Sequence, residues 1–125
     1  MKKKVFVSFD YDNDYTQKFL LVGQSILKQS PFEFTDSSIK QEIENNWEVK
    51  ARQKISNCDV VLVLCGKKTH LAKGVSREIE IAREVGKSYY LVNAYGDSSA
   101  TRPSAAYSWE TIYDWTWQNL NRLVG

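Results

Sequence analysis

The segment Cys58-Asp59-Val60-Val61-Leu62-Val63-Leu64-Cys65 constrains the fold more than any other part of the chain. From Val60 it is apolar without a break and rich in β-branched residues, and Gly66 ends it. A strand with one wet face alternates, whereas a strand with no polar side is covered on both faces. The run is also far short of the roughly 20 apolar residues a membrane helix needs. It predicts the central strand of a parallel sheet sandwiched between helices.

The other elements can be laid out around this strand. Lys4-Val5-Phe6-Val7-Ser8-Phe9, closed by the polar cluster Asp10-Tyr11-Asp12-Asn13-Asp14, reads as a strand and a loop. Phe19, Leu20, Val22, Ile26 and Leu27 then recur at helical spacing until Ser30-Pro31, with Asp14 as the expected N-cap. Phe32-Glu33-Phe34-Thr35 alternates and predicts a short strand, followed by a loop from Asp36. Residues 39–48 fit no single period. Trp47, Ala51, Lys54 and Ile55 restore helical spacing up to Asn57. Val75, Ile79, Ala82 and Val85 mark a further helix, with Gly86 as its C′ residue, and Ser88 to Asn93 is another apolar strand. Gly96 to Ala106 is rich in Ser, Ala, Gly and Pro and reads as a loop. Trp109, Ile112, Tyr113, Trp117, Leu120 and Leu123 are assigned to one face of a closing helix, with Ser108 as N-cap.

Strands and helices alternate, so the expected fold is a flavodoxin-like, doubly wound α/β domain with a mostly parallel sheet and helices on both faces. At 125 residues the chain is expected to be one domain spanning 1–125. Right-handed crossovers gather the loops after the strands at one edge, where ligands of such sheets bind. The candidate loops are Asp10 to Asp14, Asp36 to Lys40, Gly66 to Gly74 and Ala94 to Ala106.

Several functional classes lose support. The net charge is only +2 and the basic residues form no stripe, which argues against nucleic acid as a partner. No apolar run reaches membrane-spanning length, so no membrane association is expected. The lysines after Met1 resemble the start of a signal peptide, but the apolar run behind them ends at Asp10 without a small-residue cleavage site. Cys58 and Cys65 lie at the two ends of an extended run, about 23 Å apart, and cannot bridge each other. Buried reduced thiols fit a cytoplasmic protein. Gly66-Lys67-Lys68-Thr69 lacks the first glycine of a phosphate loop, Val61 standing there, and no GxGxxG occurs. The one histidine, His70, has no partner at metal-ligand spacing and no Ser or Cys arrangement beside it, so neither a metal nor a nucleophilic triad is expected.

The remaining constellation is Val75-Ser76-Arg77-Glu78-Ile79-Glu80-Ile81-Ala82. Ile79 and Ala82 face the sheet, while Glu78 is expected to begin the helix just above the strand edge. The plain alternative is that Glu78 complements the helix dipole from the first turn. Glu80, about 200° further round the helix, points elsewhere.

The opening strand and loop, Val5 to Asp14, together with the strand-loop-helix from Val60 to Ala82, resemble the TIR-like domains of bacterial anti-phage systems. Gly66, Thr69, Val75 and Glu78-Ile79 carry the second part. The match is best with the TIR-like subunit of Thoeris systems and covers roughly residues 4 to 95. The tryptophan usual in that family shortly before the helical glutamate is missing from Lys73-Gly74-Val75-Ser76-Arg77.

The resemblance implies that Glu78 is a catalytic carboxylate acting on NAD+ as substrate, with no bound cofactor. Cleaving the nicotinamide–ribose bond needs no leaving-group acid, because nicotinamide departs as a neutral molecule. The site must instead stabilise positive charge on the ribose, which one fixed carboxylate can do. Water as nucleophile gives ADP-ribose; the substrate's own adenine or ribose gives a cyclic product. Cyclisation to a diffusible nucleotide that reaches a separate effector is the implied outcome. By the same analogy Phe9 would stack on a base or the nicotinamide, Ser8 and Asp10 would orient hydroxyls, and Asp36 and Trp47 would lie near the substrate, although Trp47 also suits the core. A homo-oligomer that completes the site is a further expectation. Two alternatives stay open: a non-enzymatic self-assembling adaptor, favoured by exposed aromatic loop residues and an occluded Glu78, and a nucleoside-processing enzyme with a nucleophilic carboxylate.

Overall fold

The computed structural model describes residues 3–10, 13–14, 16–17, 32–37, 47–95 and 98–124, with residues 32–37 described by their backbone and the Glu33 side chain. Five strands form one parallel sheet: β1 (Lys3–Ser8), β2 (Phe32–Ser37), β3 (Val60–Cys65), β4 (Ser88–Asn93) and β5 (Ile112–Asp114), in the order β2-β1-β3-β4-β5. Three helices are described: α1 (Trp47–Ser56), α2 (Lys73–Glu84) and α3 (Trp117–Val124). This is the flavodoxin-like strand order, with its switch point between β1 and β3.

β3 is buried along its whole length, as its composition demands. Its side chains alternate between two cores. Val61, Val63 and Cys65 join Phe6 and Leu91 beneath α1 and α2, which contribute Trp47, Ala51, Ile55, Val75, Ile79 and Ala82. On the opposite face Val60, Leu62 and Leu64 join Val5, Val7, Phe9 and Val92, with Leu120 and Val124 of α3 packed on them. Helices therefore cover both faces, and the fold is doubly wound. Both cysteines are free and buried, and burial pushes the Cys65 thiol up to about 12 and raises Cys58 as well. Thiols held neutral in this way are poor nucleophiles.

Helix α2 ends as its glycine foretells. Val85 is the C-cap and Gly86 follows at φ 77°. The Lys87 and Gly86 amides donate back to the Ala82 and Arg83 carbonyls at 2.8 and 3.2 Å, the paired bonds of a Schellman motif.

Two sequence expectations need correction. Asp36 does not open a loop: β2 continues to Ser37, and after an irregularity between Val5 and Phe6, Asp36 pairs with Phe6. The closing helix does not begin at Ser108. Residues 107–110 form a turn in which the Glu110 amide donates to the Tyr107 carbonyl, Ile112–Asp114 is the fifth strand alongside Leu91–Asn93, and α3 starts only at Trp117. Thr116 is the cap, its hydroxyl accepting from the Asn119 amide at 3.1 Å. Ile112 and Tyr113, one β-branched and one aromatic, gain more from pairing beside an open sheet edge than from extending a helix. Of the helix expected after Asp14, Thr16 and Gln17 are helical; Phe19 to Leu27 and residues 39–46 lie outside the described residues. Among the described residues no helix is long and apolar enough to cross a membrane.

Candidate active site

β1 and β3 are neighbours, but the chain leaves them in opposite directions across the sheet, so their carboxyl ends form the switch point at which ligands of such sheets bind. Ser8 is the last residue of β1 and pairs with Val63. Above it runs α2, reached from β3 through a 3-10 turn at Thr69–Leu71. The buried face of α2 carries Val75, Ile79 and Ala82 on the sheet, and Glu78 points with them. Ser8 Oγ donates to Glu78 Oε1 at 2.7 Å, and the two residues are 0% and 1% exposed. Glu78 occupies the second turn of α2, and no acidic residue stands in the first. The dipole explanation therefore fails. Its control behaves as expected: Glu80 is exposed, with its carboxylate 3.6 Å from the Arg77 guanidinium. Arg77 also bonds Glu48 of α1 at 2.7 Å and Glu84 at 3.0 Å. These contacts tie the outer sides of the two helices together and help fix the roll that turns Glu78 inward.

A second carboxylate sits at the same edge. Asp14 is 1% exposed; Tyr95, just beyond β4, donates its hydroxyl to Asp14 Oδ1 at 2.5 Å, and Asp14 Oδ2 is buried without a hydrogen-bond partner. A Cβ on Gly66 would lie 2.5 Å from Oδ1 and 2.7 Å from the Tyr95 ring, so only glycine lets Asp14 lie against the end of β3. Burial raises the Asp14 pKa and the Asp10 charge adds to it, while the Tyr95 hydrogen bond opposes the rise. Burial, then the bond to Asp14, pushes the Tyr95 phenol up to about 12. Three ligand-edge loops thus meet at one buried acid.

Residues 6–118 match the family model described as Thoeris protein ThsB, TIR-like domain. The chain belongs to this TIR-like family. No individually curated protein matches it.

The TIR-like fold distributes the other candidate residues unevenly. Asp10 lies beside the Ser8–Glu78 pair in sequence and is half-buried; its carbonyl accepts from the Asn13 and Asp14 amides and its carboxylate from Asn13 Nδ2 at 2.7 Å. Phe9 is 2% exposed and packs in the core under α3, and Trp47 is buried in the core beneath α1 and α2. The Asp36 backbone is in β2, and its side chain lies outside the described residues. His70 is exposed, with its amide and Nδ1 each 3.0 Å from Thr101 Oγ1. Thr101 in turn donates from its amide and hydroxyl to the Gly66 carbonyl at 2.9 and 3.1 Å. Sequence reasoning missed Tyr95 altogether, and its position directly after β4 was the available signal. Among the described residues no group of three or more His, Cys, Asp and Glu could hold a metal. A groove along α1 from Glu48 to Asn57 contains none of the candidate residues.

The TIR-like chain also presents an exposed aromatic pair. Tyr107 and Trp109 stack at 5.2 Å with rings 10° from parallel, and Trp109 is 76% exposed. Arg83 lies 4.2 Å from the Tyr107 ring and donates to the Ala105 carbonyl at 2.7 Å, anchoring the turn that carries the pair.

Proposed function

We propose that this TIR-like domain, taken as residues 1–125, cleaves the nicotinamide–ribose bond of NAD+ and cyclises the ADP-ribose into a diffusible signal for a separate effector in anti-phage defence. The observation that carries the reading is the buried Glu78 carboxylate, held by Ser8 at the β1/β3 switch point. A carboxylate fixed in a dry crevice stabilises developing positive charge far better than one in water. Nicotinamide leaves as a neutral ring, so a single acid suffices and no metal or nucleophilic triad is called for. Asp10 is assigned to ribose hydroxyls and Asp36 to the neighbourhood of the substrate, while Phe9 and Trp47, both buried, belong to the cores on opposite faces of the sheet. Glu78 is closed off from solvent in the isolated chain, so turnover requires rearrangement at this edge, for which pairing with a second copy is the proposed cause.

The test is incubation with NAD+ across protein concentrations and in lysate from phage-infected cells, with Glu78→Gln beside it. Nicotinamide release that disappears in the variant supports the enzyme, and the product mass separates cyclase from hydrolase. The same mass measurement on the protein distinguishes a glycosyl-enzyme adduct, which a nucleophilic carboxylate would leave.

A second reading has its own support. An exposed Tyr107–Trp109 stack and an occluded Glu78 suit a self-assembling adaptor. Absence of turnover at every concentration, with sedimentation showing oligomers that Trp109→Ser dissolves, would replace the enzyme by the adaptor.

A further inference from the structure

We infer that Ser8 is a positioning residue for Glu78 and not a ligand of the substrate. This rests on the proposed NAD+ chemistry for its functional meaning, but its physical content is independent of it. Ser8 has no exposed surface, and its one hydroxyl proton is directed at Glu78 Oε1 from 2.7 Å. A hydroxyl that spends its only donor on a carboxylate could meet a ribose hydroxyl only by accepting from it, and Ser8 has no exposed surface at which to do so. The backbone around it is equally committed: Ser8 closes β1 in register with Val63 of the most buried strand, which fixes where its Cβ sits beneath Glu78. Glu78, by contrast, is at the end of a longer side chain on a helix, with several torsions to be fixed.

Burying a flexible carboxylate is useful for charge stabilisation only if its rotamer and ionisation are set beforehand. The Ser8 hydroxyl does both. It selects one orientation of the Glu78 carboxylate, and its proton is spent on an oxygen that holds it more strongly when ionised. Hydrogen bonds to ionised groups are the stronger class, and losing one corresponds to roughly 10- to 100-fold in an equilibrium or rate. The adjacent Asp10 carries no such commitment to Glu78 in its described contacts, which makes it the better candidate for hydroxyl recognition.

The experiment compares the full-length protein with Ser8→Ala and Ser8→Cys, the latter retaining a weak donor of similar size. Steady-state rates with NAD+ are measured from pH 4 to 8, and the Glu78 carboxyl is titrated by carbon NMR in the same proteins. Thermal melts establish that each is folded. Ser8→Ala should lower kcat roughly 10- to 100-fold with KM nearly unchanged. It should also move the acid limb of the kcat profile and the carboxyl titration up by about one pH unit. Ser8→Cys should recover part of both effects. A raised KM with unchanged kcat and an unmoved titration would make Ser8 a substrate ligand and overturn the inference. A titration that moves in a protein with no turnover of NAD+ would uphold the Ser8–Glu78 coupling while removing the enzymatic reading. An unmoved titration in a folded Ser8→Ala protein overturns the coupling whatever the activity.

Discussion

Glu78 reaches the ligand edge from the second turn of α2 and takes a hydroxyl from the end of β1, whereas Asp14 reaches it from the loop after β1 and takes a phenol from beyond β4. Both are 1% exposed. The carboxylate of Asp14 is wedged against the Gly66 backbone, where no added atom fits. That is the arrangement of a structural clasp that joins three loops and bears a cost in desolvation. Glu78 is set among apolar residues that pin a helix over the switch point, where ligands of such sheets bind. Burial alone therefore does not tell the two acids apart; the element that delivers each, and what crowds it, does.

The sharpest way to break this contrast is Glu78→Gln. If the assignment is right, nicotinamide release falls at least about 100-fold, as for loss of a preorganised electrostatic group. The melting temperature, read by scanning calorimetry, should move far less than the rate. The next test falls on the clasp. Gly66→Ala puts a methyl group into the Asp14 carboxylate and should destabilise the fold by about 1–3 kcal/mol in urea titration. Tyr95→Phe removes the phenol donor and should cost about 1 kcal/mol by the same measurement.

The pH dependence of Asp14 sharpens the contrast further. Its folded pKa lies above the ordinary 3.8, so the folded state binds the proton more tightly than the unfolded chain. The stability this gives is fully present below 3.8 and is lost as pH rises through the raised folded value. Asp14→Asn abolishes that titration, so the variant should gain on the parent protein as pH increases across this window and then hold a constant difference. Parallel stability curves for the two proteins would show that folding does not raise the Asp14 pKa. The smallest effect is expected at Glu80→Gln, an exposed partner of Arg77, with stability within about 0.5 kcal/mol and NAD+ turnover unchanged.

Much of the scaffold is legible in the residues themselves. The Val60–Cys65 run could only be a central strand, Ser88–Asn93 has the bounds expected of it, and Gly86 ends α2 at positive φ. Ile112–Asp114 was not legible, because three residues satisfy helix and strand spacing alike, and Ser108 looks as much like a cap as Thr116 does. Pairing with β4 decides the matter, and pairing is not a local property. The candidate site divides in the same way. Glu78 could be picked out from its helix face, and Ser8 from its place at a strand end. Their hydrogen bond joins residues 70 apart, and the Asp14–Tyr95 bond joins residues 81 apart. Contacts at such separations follow from strand order, which no local pattern records.

Glu110 gives the irregular segment before β5 an unexpected mechanical character. Its carboxylate accepts from the Tyr89 hydroxyl at 2.6 Å and the Tyr107 amide at 3.1 Å, Arg83 stands 3.4 Å away, and its carbonyl accepts from Arg102 at 2.7 Å. A loop knotted to one side chain at so many points has no cheap partial opening, since each small excursion strains several bonds together. Its amides should therefore exchange with solvent deuterium in one step, at the pace of the strand it leans on, and a protease should find no slack there to cut.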